Sequence, residues 1–230
     1  MDDASGARSE PKASGGGGAG YAGAVPAKRA VIFDLGGVVL GSPLHVIAEL
    51  EREEGIPAGF VNRLVVASGP AGAWARLERG ELAGDAFYAA FDRECAEAGH
   101  SFSAQRLMER IALGVQPRPA MLAAVHRIRE RGLGTAALTN NWTGDGTRAL
   151  RDHFDVFVES SALGLRKPDP RIYEHACRCL GIEAHQAVFL DDIGSNLKTA
   201  RALGMTTIKV TAPEQALTEL ETVLGFGLTE

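Results

Sequence analysis

The chain has 230 residues, of which 45% are hydrophobic and 23% charged. This is the composition of a soluble globular protein with room for one α/β domain and a small insertion. It lacks the apolar run of roughly 18 residues that a membrane helix needs and the pattern of a secretory signal, so neither a membrane nor secretion is expected. A net charge of −5 without a basic stripe argues against nucleic acid as a partner.

The first 28 residues contain the stretch SGGGGAGYAGAVPA and almost no residue that could join a hydrophobic core. Gly- and Ala-rich segments of this kind cannot bury enough apolar surface to fold. We therefore predict a disordered arm over residues 1–28.

From residue 29 onward, short β-rich apolar runs alternate with amphipathic helical stretches. The periodicity predicts strands at residues 30–34, 135–139, 155–159, 187–191 and 206–210. Helices are predicted at residues 117–131, 145–152, 170–180, 195–203 and 213–224. This alternation is typical of βαβ units, so we predict an α/β fold with a Rossmann-like, doubly wound parallel sheet.

Residues 43–115 break this alternation. They carry helical periodicity throughout, as in PLHVIAELEREEG and GDAFYAAFDRECAEAG, and contain no convincing strand. A helical segment of this length between the first and second strands predicts an inserted domain, which we call the cap. The core domain would then comprise residues 29–42 and 116–230.

The three cysteines, Cys95, Cys177 and Cys179, make no disulfide framework. Reduced thiols are typical of the cytoplasm, where we expect the protein to reside. The oligomeric state is left open by the sequence.

Polar residues close three of the predicted strands. Asp34 follows the first strand, Thr139 and Asn140 close the second, and Asp191 and Asp192 close the fourth. Ligands of open parallel sheets bind outside the carboxyl ends of the strands, so these side chains are expected to share one edge.

The charge of these residues predicts what this edge binds. Asp34 and Asp192 would repel each other unless a cation lay between them, and paired carboxylate oxygens suit Mg²⁺. The second oxygen of Asp34 could then attack a phosphoryl group, whose charge would be neutralised by Thr139, by nearby backbone N–H groups and by Lys167 of the segment LRKPDP. The sequence thus predicts a magnesium-dependent site for a small phosphorylated substrate.

Four motifs, FDLGGV, LTNN, RKPDP and FLDDIGSN, occur in this order along the chain. Over residues 30–224 the sequence resembles the haloacid dehalogenase (HAD) superfamily. Within it, the likeness is greatest to the N-terminal phosphatase domain of soluble epoxide hydrolases and to the HAD-like N-terminal domain of acyl-CoA dehydrogenase family members. The resemblance implies a Rossmann-like core, a helical cap after the first strand and Mg²⁺-dependent phosphohydrolase chemistry.

The resemblance also implies a role for each matching residue. Asp34 would be the nucleophile that forms an aspartyl phosphate, and Lys167 would neutralise it. Thr139 and Asn140 would bind the phosphoryl oxygens. Asp34, the Gly36 carbonyl and Asp192 would bind the metal, and Asp191 would assist through the metal's water shell. Asn196 would orient Lys167 or the loop that carries the two acids.

Gly36 departs from the family pattern, because phosphatases of this superfamily usually carry a second aspartate two residues after the nucleophile. That aspartate binds Mg²⁺ through its carbonyl and protonates the leaving group through its side chain. Glycine keeps the carbonyl and loses the acid, whose contribution to the rate is typically about a hundred- to ten-thousand-fold. Metal binding should survive, whereas hydrolysis of poor leaving groups should be slow. His45 in the cap is the first candidate for an alternative acid.

Two other functions stay open on the sequence. The missing acid at Gly36 fits a catalytically degenerate domain that serves to bind a phosphorylated ligand or a partner. A metal-independent haloacid dehalogenase would also use Asp34, but Asp191 and Asp192 argue against it, since members of that group carry neutral residues there. Epoxide hydrolysis is not inferred, because the chain has no G-x-S-x-G nucleophile turn.

Overall fold

The computed structural model describes residues 27–142 and 145–228, so nearly all of the predicted arm lies outside the described residues. The described part forms a parallel sheet of β1 (Ala30–Phe33), β2 (Gly134–Thr139), β3 (Val156–Glu159), β4 (Ala187–Asp191) and β5 (Thr206–Lys209). The strand order β3-β2-β1-β4-β5 confirms the predicted doubly wound sheet. Each strand begins and ends within one residue of its predicted bounds.

Ten α-helices occur in the described ranges. They are α1 (Pro43–Glu53), α2 (Phe60–Ser68), α3 (Ala73–Glu78), α4 (Gly84–Glu97), α5 (Ala104–Gly114), α6 (Pro119–Glu130), α7 (Ser160–Leu163), α8 (Pro170–Leu180), α9 (Gly194–Ala202) and α10 (Pro213–Leu224). Four of them begin at a proline, whose fixed φ and missing N–H suit the first helical turn. The helix predicted at 145–152 is a 3₁₀-helix, Asp145–His153. None of the helices in these ranges is long and apolar enough to cross a bilayer.

Side chains of β1 alternate between the two faces of the sheet, so each face has its own core. Val31 and Phe33 join a hydrophobic cluster with α6 and α10, whereas Ile32 joins another with α8 and α9. All three side chains are fully buried. The central strand is therefore covered on both faces, which is why its sequence is continuously apolar.

Helices α1–α5 occupy the segment predicted as the cap and pack around a hydrophobic cluster of their own. Two neighbouring connections link them to the sheet layer. Leu40 pairs with Pro117 in an antiparallel bridge, and the Gly41 N–H donates to the Gln116 carbonyl at 2.9 Å. The two ends of the inserted segment therefore lie side by side, as an insertion into a sheet connection requires.

Glu51 supports the cap from within. The residue is 1% exposed, and its carboxylate accepts hydrogen bonds from the backbone N–H groups of Gly59 at 2.6 Å and Val61 at 2.8 Å. Both donors lie at the start of α2, where N–H groups have no partner inside the helix. Glu51 thus fixes the turn between α1 and α2.

We expect Glu51→Ala to lower the free energy of unfolding by about 2 to 4 kcal/mol, because it leaves two backbone donors without an acceptor. Urea denaturation followed by the helical circular-dichroism signal measures this change. Glu49→Ala, an exposed position on the same helix, is the matched control and should change stability little. Equal unfolding midpoints for the two variants would contradict the role given to Glu51.

Candidate active site

The carboxyl ends of β1 and β4 form the centre of the site, because the strand order reverses between them. Phe33 lies opposite Leu190 in parallel register, and the Asp34 N–H donates to the Leu190 carbonyl at 2.9 Å. Asp191 and Asp192 therefore end beside Asp34. Carboxylate oxygens of these three acids lie within 4.8 Å of one another, at the switch point where open α/β sheets bind ligands.

Lys167 inserts its ammonium group between two of these acids. The side chain is 1% exposed, and Nζ lies 2.8 Å from Asp34 Oδ1 and 2.7 Å from Asp191 Oδ2. Burial by itself would lower the pKa of Lys167, but Asp191 and Asp34 outweigh it and raise the pKa. Lys167 therefore stays charged at neutral pH.

The carboxylate of Asp34 is held by one of its two oxygens. In the described part of the chain its two donors, the Leu35 N–H at 2.7 Å and the Lys167 ammonium, both bond to Oδ1. Burial raises the pKa of Asp34 to about 7, Asp191 and Asp192 add to the rise, and Lys167 opposes it. Because both of these donors bond to Oδ1, Oδ2 is the oxygen that could attack an electrophile.

Asp191 is fully buried, and both of its oxygens bond to protein donors. Oδ2 accepts from Lys167, Oδ1 accepts from the Ile193 N–H at 2.7 Å, and the Asn196 amide lies 3.1 Å from each oxygen. Asn196 was predicted to orient either Lys167 or the loop that carries Asp191 and Asp192, and its amide contacts this loop at Asp191. Asp191 therefore holds Lys167 in place, and its contacts leave Asp34 and Asp192 as the more available carboxylates.

Asp192 lies against the glycine turn that follows β1. Gly37 has a φ of +77°, and a Cβ built on it would come 2.2 Å from Asp192 Oδ2, so any larger residue would displace that carboxylate. Arg118 anchors the same turn by donating from Nη1 to the Gly37 carbonyl at 2.8 Å. Burial and Asp191 raise the pKa of Asp192, while Lys167 and Arg118 oppose the rise.

These acids fit a divalent cation chemically. Three carboxylates against one ammonium leave an excess of negative charge in a largely buried site, and a set made only of oxygen ligands suits Mg²⁺. Asp34, Asp192 and the Gly36 carbonyl remain the predicted ligands.

Asn140 and Thr139 close β2 at the same edge. The Asn140 amide is engaged at both ends with the backbone of Lys167, accepting from its N–H at 2.7 Å and donating to its carbonyl at 3.0 Å. These contacts position the lysine, and the role of Asn140 as a phosphoryl ligand stays a prediction. Thr139 is 4% exposed and lines the cavity next to Asp34.

A cavity of about 1110 Å³ lies between helices α1–α5 and the strand ends. At the sheet it is bounded by the polar residues Asp34, Thr139, Lys167 and Asp192. Its other walls are largely apolar and include Leu44, Ile47, Val65, Phe87, Met108 and Trp142. One end of this cavity therefore suits a charged group and the remainder suits an apolar one.

Six charged residues of the cavity wall were not predicted as site residues: Glu78, Arg79, Glu109, Arg166, Asp169 and Arg171. Glu78 of α3 accepts a hydrogen bond from Arg166 Nε at 2.5 Å. Arg166 belongs to the motif RKPDP, so its place beside Lys167 could have been inferred. Glu78 lies in a cap helix without any motif, and nothing in the sequence marks it.

The chain is similar to several known proteins. It is 40% identical over 210 residues to mouse acyl-CoA dehydrogenase family member 10, an alignment that covers 87% of this chain and 19% of that protein. It is 35% identical over 222 residues to pig bifunctional epoxide hydrolase 2, covering 89% of this chain and 40% of that protein. The chain thus spans less than half the length of these two relatives.

Solved structures share the fold. A HAD family enzyme of Bacteroides thetaiotaomicron, in complex with magnesium and inorganic phosphate, superposes with a TM-score of 0.56 at 19% identity, covering 80% of this chain and 95% of that one. The family model of haloacid dehalogenase-like hydrolases matches residues 28–204. The protein therefore belongs to the haloacid dehalogenase-like hydrolases.

Proposed function

We propose that the chain is a Mg²⁺-dependent phosphohydrolase that works through an aspartyl phosphate on Asp34. The observation that carries this proposal is the buried Asp34, held through Oδ1 by Lys167 and the Leu35 N–H while Oδ2 is left for an electrophile. The magnesium and phosphate in the complex of the Bacteroides relative support the same chemistry.

In the proposed reaction, Asp34 Oδ2 attacks phosphorus while the bond from phosphorus to the leaving-group oxygen breaks. Lys167 offsets the negative charge of the phosphoryl group, and the Thr139 hydroxyl donates a hydrogen bond to one of its oxygens. The leaving group departs as an anion that takes a proton from water, and a second water then cleaves the aspartyl phosphate to restore Asp34 and release inorganic phosphate. Asp34, Asp192 and the Gly36 carbonyl would hold Mg²⁺, which offsets the negative charge of the phosphoryl group when it is bound.

Gly36 leaves this reaction without an adjacent acid. Its φ of −64° and ψ of 125° are open to any residue, and among the described residues a Cβ there would meet Pro43 alone, at 3.4 Å. The backbone and the space around Cβ therefore do not require glycine at this position. His45 is exposed on α1 and is absent from the residues that line the cavity, so it is a poor substitute for the acid.

The volume and the lining of the cavity indicate which class of phosphorylated substrate it would hold. Its volume of about 1110 Å³ exceeds what a small phosphorylated metabolite fills, and most of the wall away from the charged end is apolar. We therefore propose phosphate monoesters whose leaving group carries an extended apolar portion. A domain that binds such a ligand without turnover is the second candidate, and the missing acid at Gly36 favours it.

Asp34→Asn should reduce phosphate release from p-nitrophenyl phosphate by at least about a thousand-fold, because an amide is not a nucleophile. Phosphate is measured with and without Mg²⁺ for a panel of esters with short and long apolar groups. The thermal unfolding midpoint of the variant serves as the control for folding. Undiminished turnover by Asp34→Asn would remove the covalent mechanism.

Gly37→Ala should weaken Mg²⁺ binding at least about tenfold, because its methyl group would displace Asp192. Gly132→Ala is the matched control, since Gly132 has a φ of +76° and no atom of the described residues lies within 4 Å of its Cβ position. Both variants share a strain of about 1 to 2 kcal/mol from the left-handed backbone. Calorimetric titration with Mg²⁺ separates the two effects, and equal affinities would contradict the metal site at Asp192.

Gly36→Asp should speed hydrolysis of alkyl phosphates by up to about a hundred-fold and that of aryl phosphates little. The reason is that aryl leaving groups depart as anions, whereas alkoxides need a proton. The measurement is the slope of log rate against leaving-group pKa, which should be steep in the parent and shallow in the variant. Equal slopes would mean that another group already supplies the proton, and no turnover by either protein would favour the binding domain.

A further inference from the structure

Glu78 connects the cap directly to the core. Its carboxylate accepts hydrogen bonds from Arg166 Nε at 2.5 Å and Asn140 Nδ2 at 3.5 Å. Its backbone carbonyl accepts from the Ser160 hydroxyl at 2.5 Å. One residue at the end of α3 therefore bonds three residues of the core, so a cap that moved away from the sheet would break all of these bonds together.

Both core partners of this carboxylate are connected to the backbone of Lys167. Asn140 holds the backbone of Lys167 through its N–H at 2.7 Å and its carbonyl at 3.0 Å. Arg166 is the preceding residue in the chain. A shift of Glu78 would therefore be transmitted to the ammonium group that bridges Asp34 and Asp191.

The contact depends on charge as well as on packing. The Glu78 side chain is 9% exposed and the Arg166 side chain 28% exposed. A buried carboxylate needs a charged partner or several donors, and here Arg166 is joined by the Trp74 indole N–H at 3.1 Å. If the cap moved away, Glu78 and Arg166 would both be hydrated, so the ion pair is formed in full only while the cap covers the cavity.

We propose that Glu78 is a positioning residue that couples the placement of the cap to the placement of Lys167. Only the effect of Glu78 on the reaction rate rests on the proposed phosphohydrolase function. Lys167 would reach the geometry needed to stabilise the transferring phosphoryl group when α3 lies against the core. Chemistry would thereby be restricted to the state in which the cavity is closed to water.

The test compares Glu78→Gln with Glu81→Gln. Glu81 is also an acid of the cap paired with an arginine, Arg79 at 2.6 Å, but it is 47% exposed and is not among the residues that line the cavity. Hydrogen–deuterium exchange is measured on the peptide spanning residues 160–170, which contains the Lys167 amide bonded to Asn140. Exchange there should be at least about tenfold faster in Glu78→Gln and unchanged in Glu81→Gln.

Two further readouts follow cap position and rate. The only tryptophans of the sequence, Trp74 and Trp142, meet across the boundary between cap and core with ring centroids 6.2 Å apart, so acrylamide quenching of their fluorescence should rise in Glu78→Gln. With p-nitrophenyl phosphate, kcat should fall at least about tenfold while KM changes little, because misplacement of a catalytic group affects the transition state most.

Arg166→Gln removes the core side of the same ion pair and should give the same faster exchange at residues 160–170, which keeps the test available if Glu78→Gln does not fold. Combined with Arg166→Gln, the Glu78→Gln change should have little additional effect, because the two act through one contact. Normal exchange of this peptide in both single variants would overturn the coupling. A parent without phosphatase activity but with these exchange changes would contradict the proposed function and leave the coupling supported.

Discussion

The buried ammonium of Lys167 is the interaction on which the rest of the site depends. It lies within 2.8 Å of Asp34 and 2.7 Å of Asp191, at a position where neither carboxylate is well hydrated. Removing one partner of a buried ion pair typically costs about 3 to 5 kcal/mol, because the other charge is left without compensation. The site can therefore form only if the chain segments that carry these charges are brought together with little tolerance.

The sheet supplies the required precision, because its two apolar cores fix the strands relative to one another. Phe33 and Leu190 pair in register at the ends of the adjacent strands β1 and β4 and are fully buried. The residues that follow them, Asp34 and Asp191, inherit this fixed spacing. Burial raises the pKa of Asp34 to about 7, and the nearby Asp191 and Asp192 add to the rise. The ionised carboxylates are therefore unfavourable without a counter-charge, and a bound cation would stabilise them.

The parts of the fold and the site that could be predicted are those that depend on short, local sequence patterns. Strand periodicity predicted β1 and β4, and the acids at the carboxyl ends of these strands predicted Asp34 and Asp191 as site residues. The contact of Glu78 with Arg166 could not be predicted, because it joins residues 88 positions apart through the packing of two layers. The same holds for Asn140, whose amide binds the Lys167 backbone 27 positions away, and for the closeness of Gly37 to Asp192.

Because Gly36 provides no acid, the reaction would depend more on the contact between cap and core than it would in a site with an aspartate at that position. With no carboxyl two residues after Asp34, stabilisation of the transferring group falls to the fixed charges, and Lys167 is the cation placed among them. Electrostatic stabilisation of this kind depends on preorganised geometry in a dry site. Through its contacts with Arg166 and Asn140, Glu78 would supply that geometry from the cap while the apolar walls exclude water. The cap would then act in the reaction itself, in addition to enclosing the substrate.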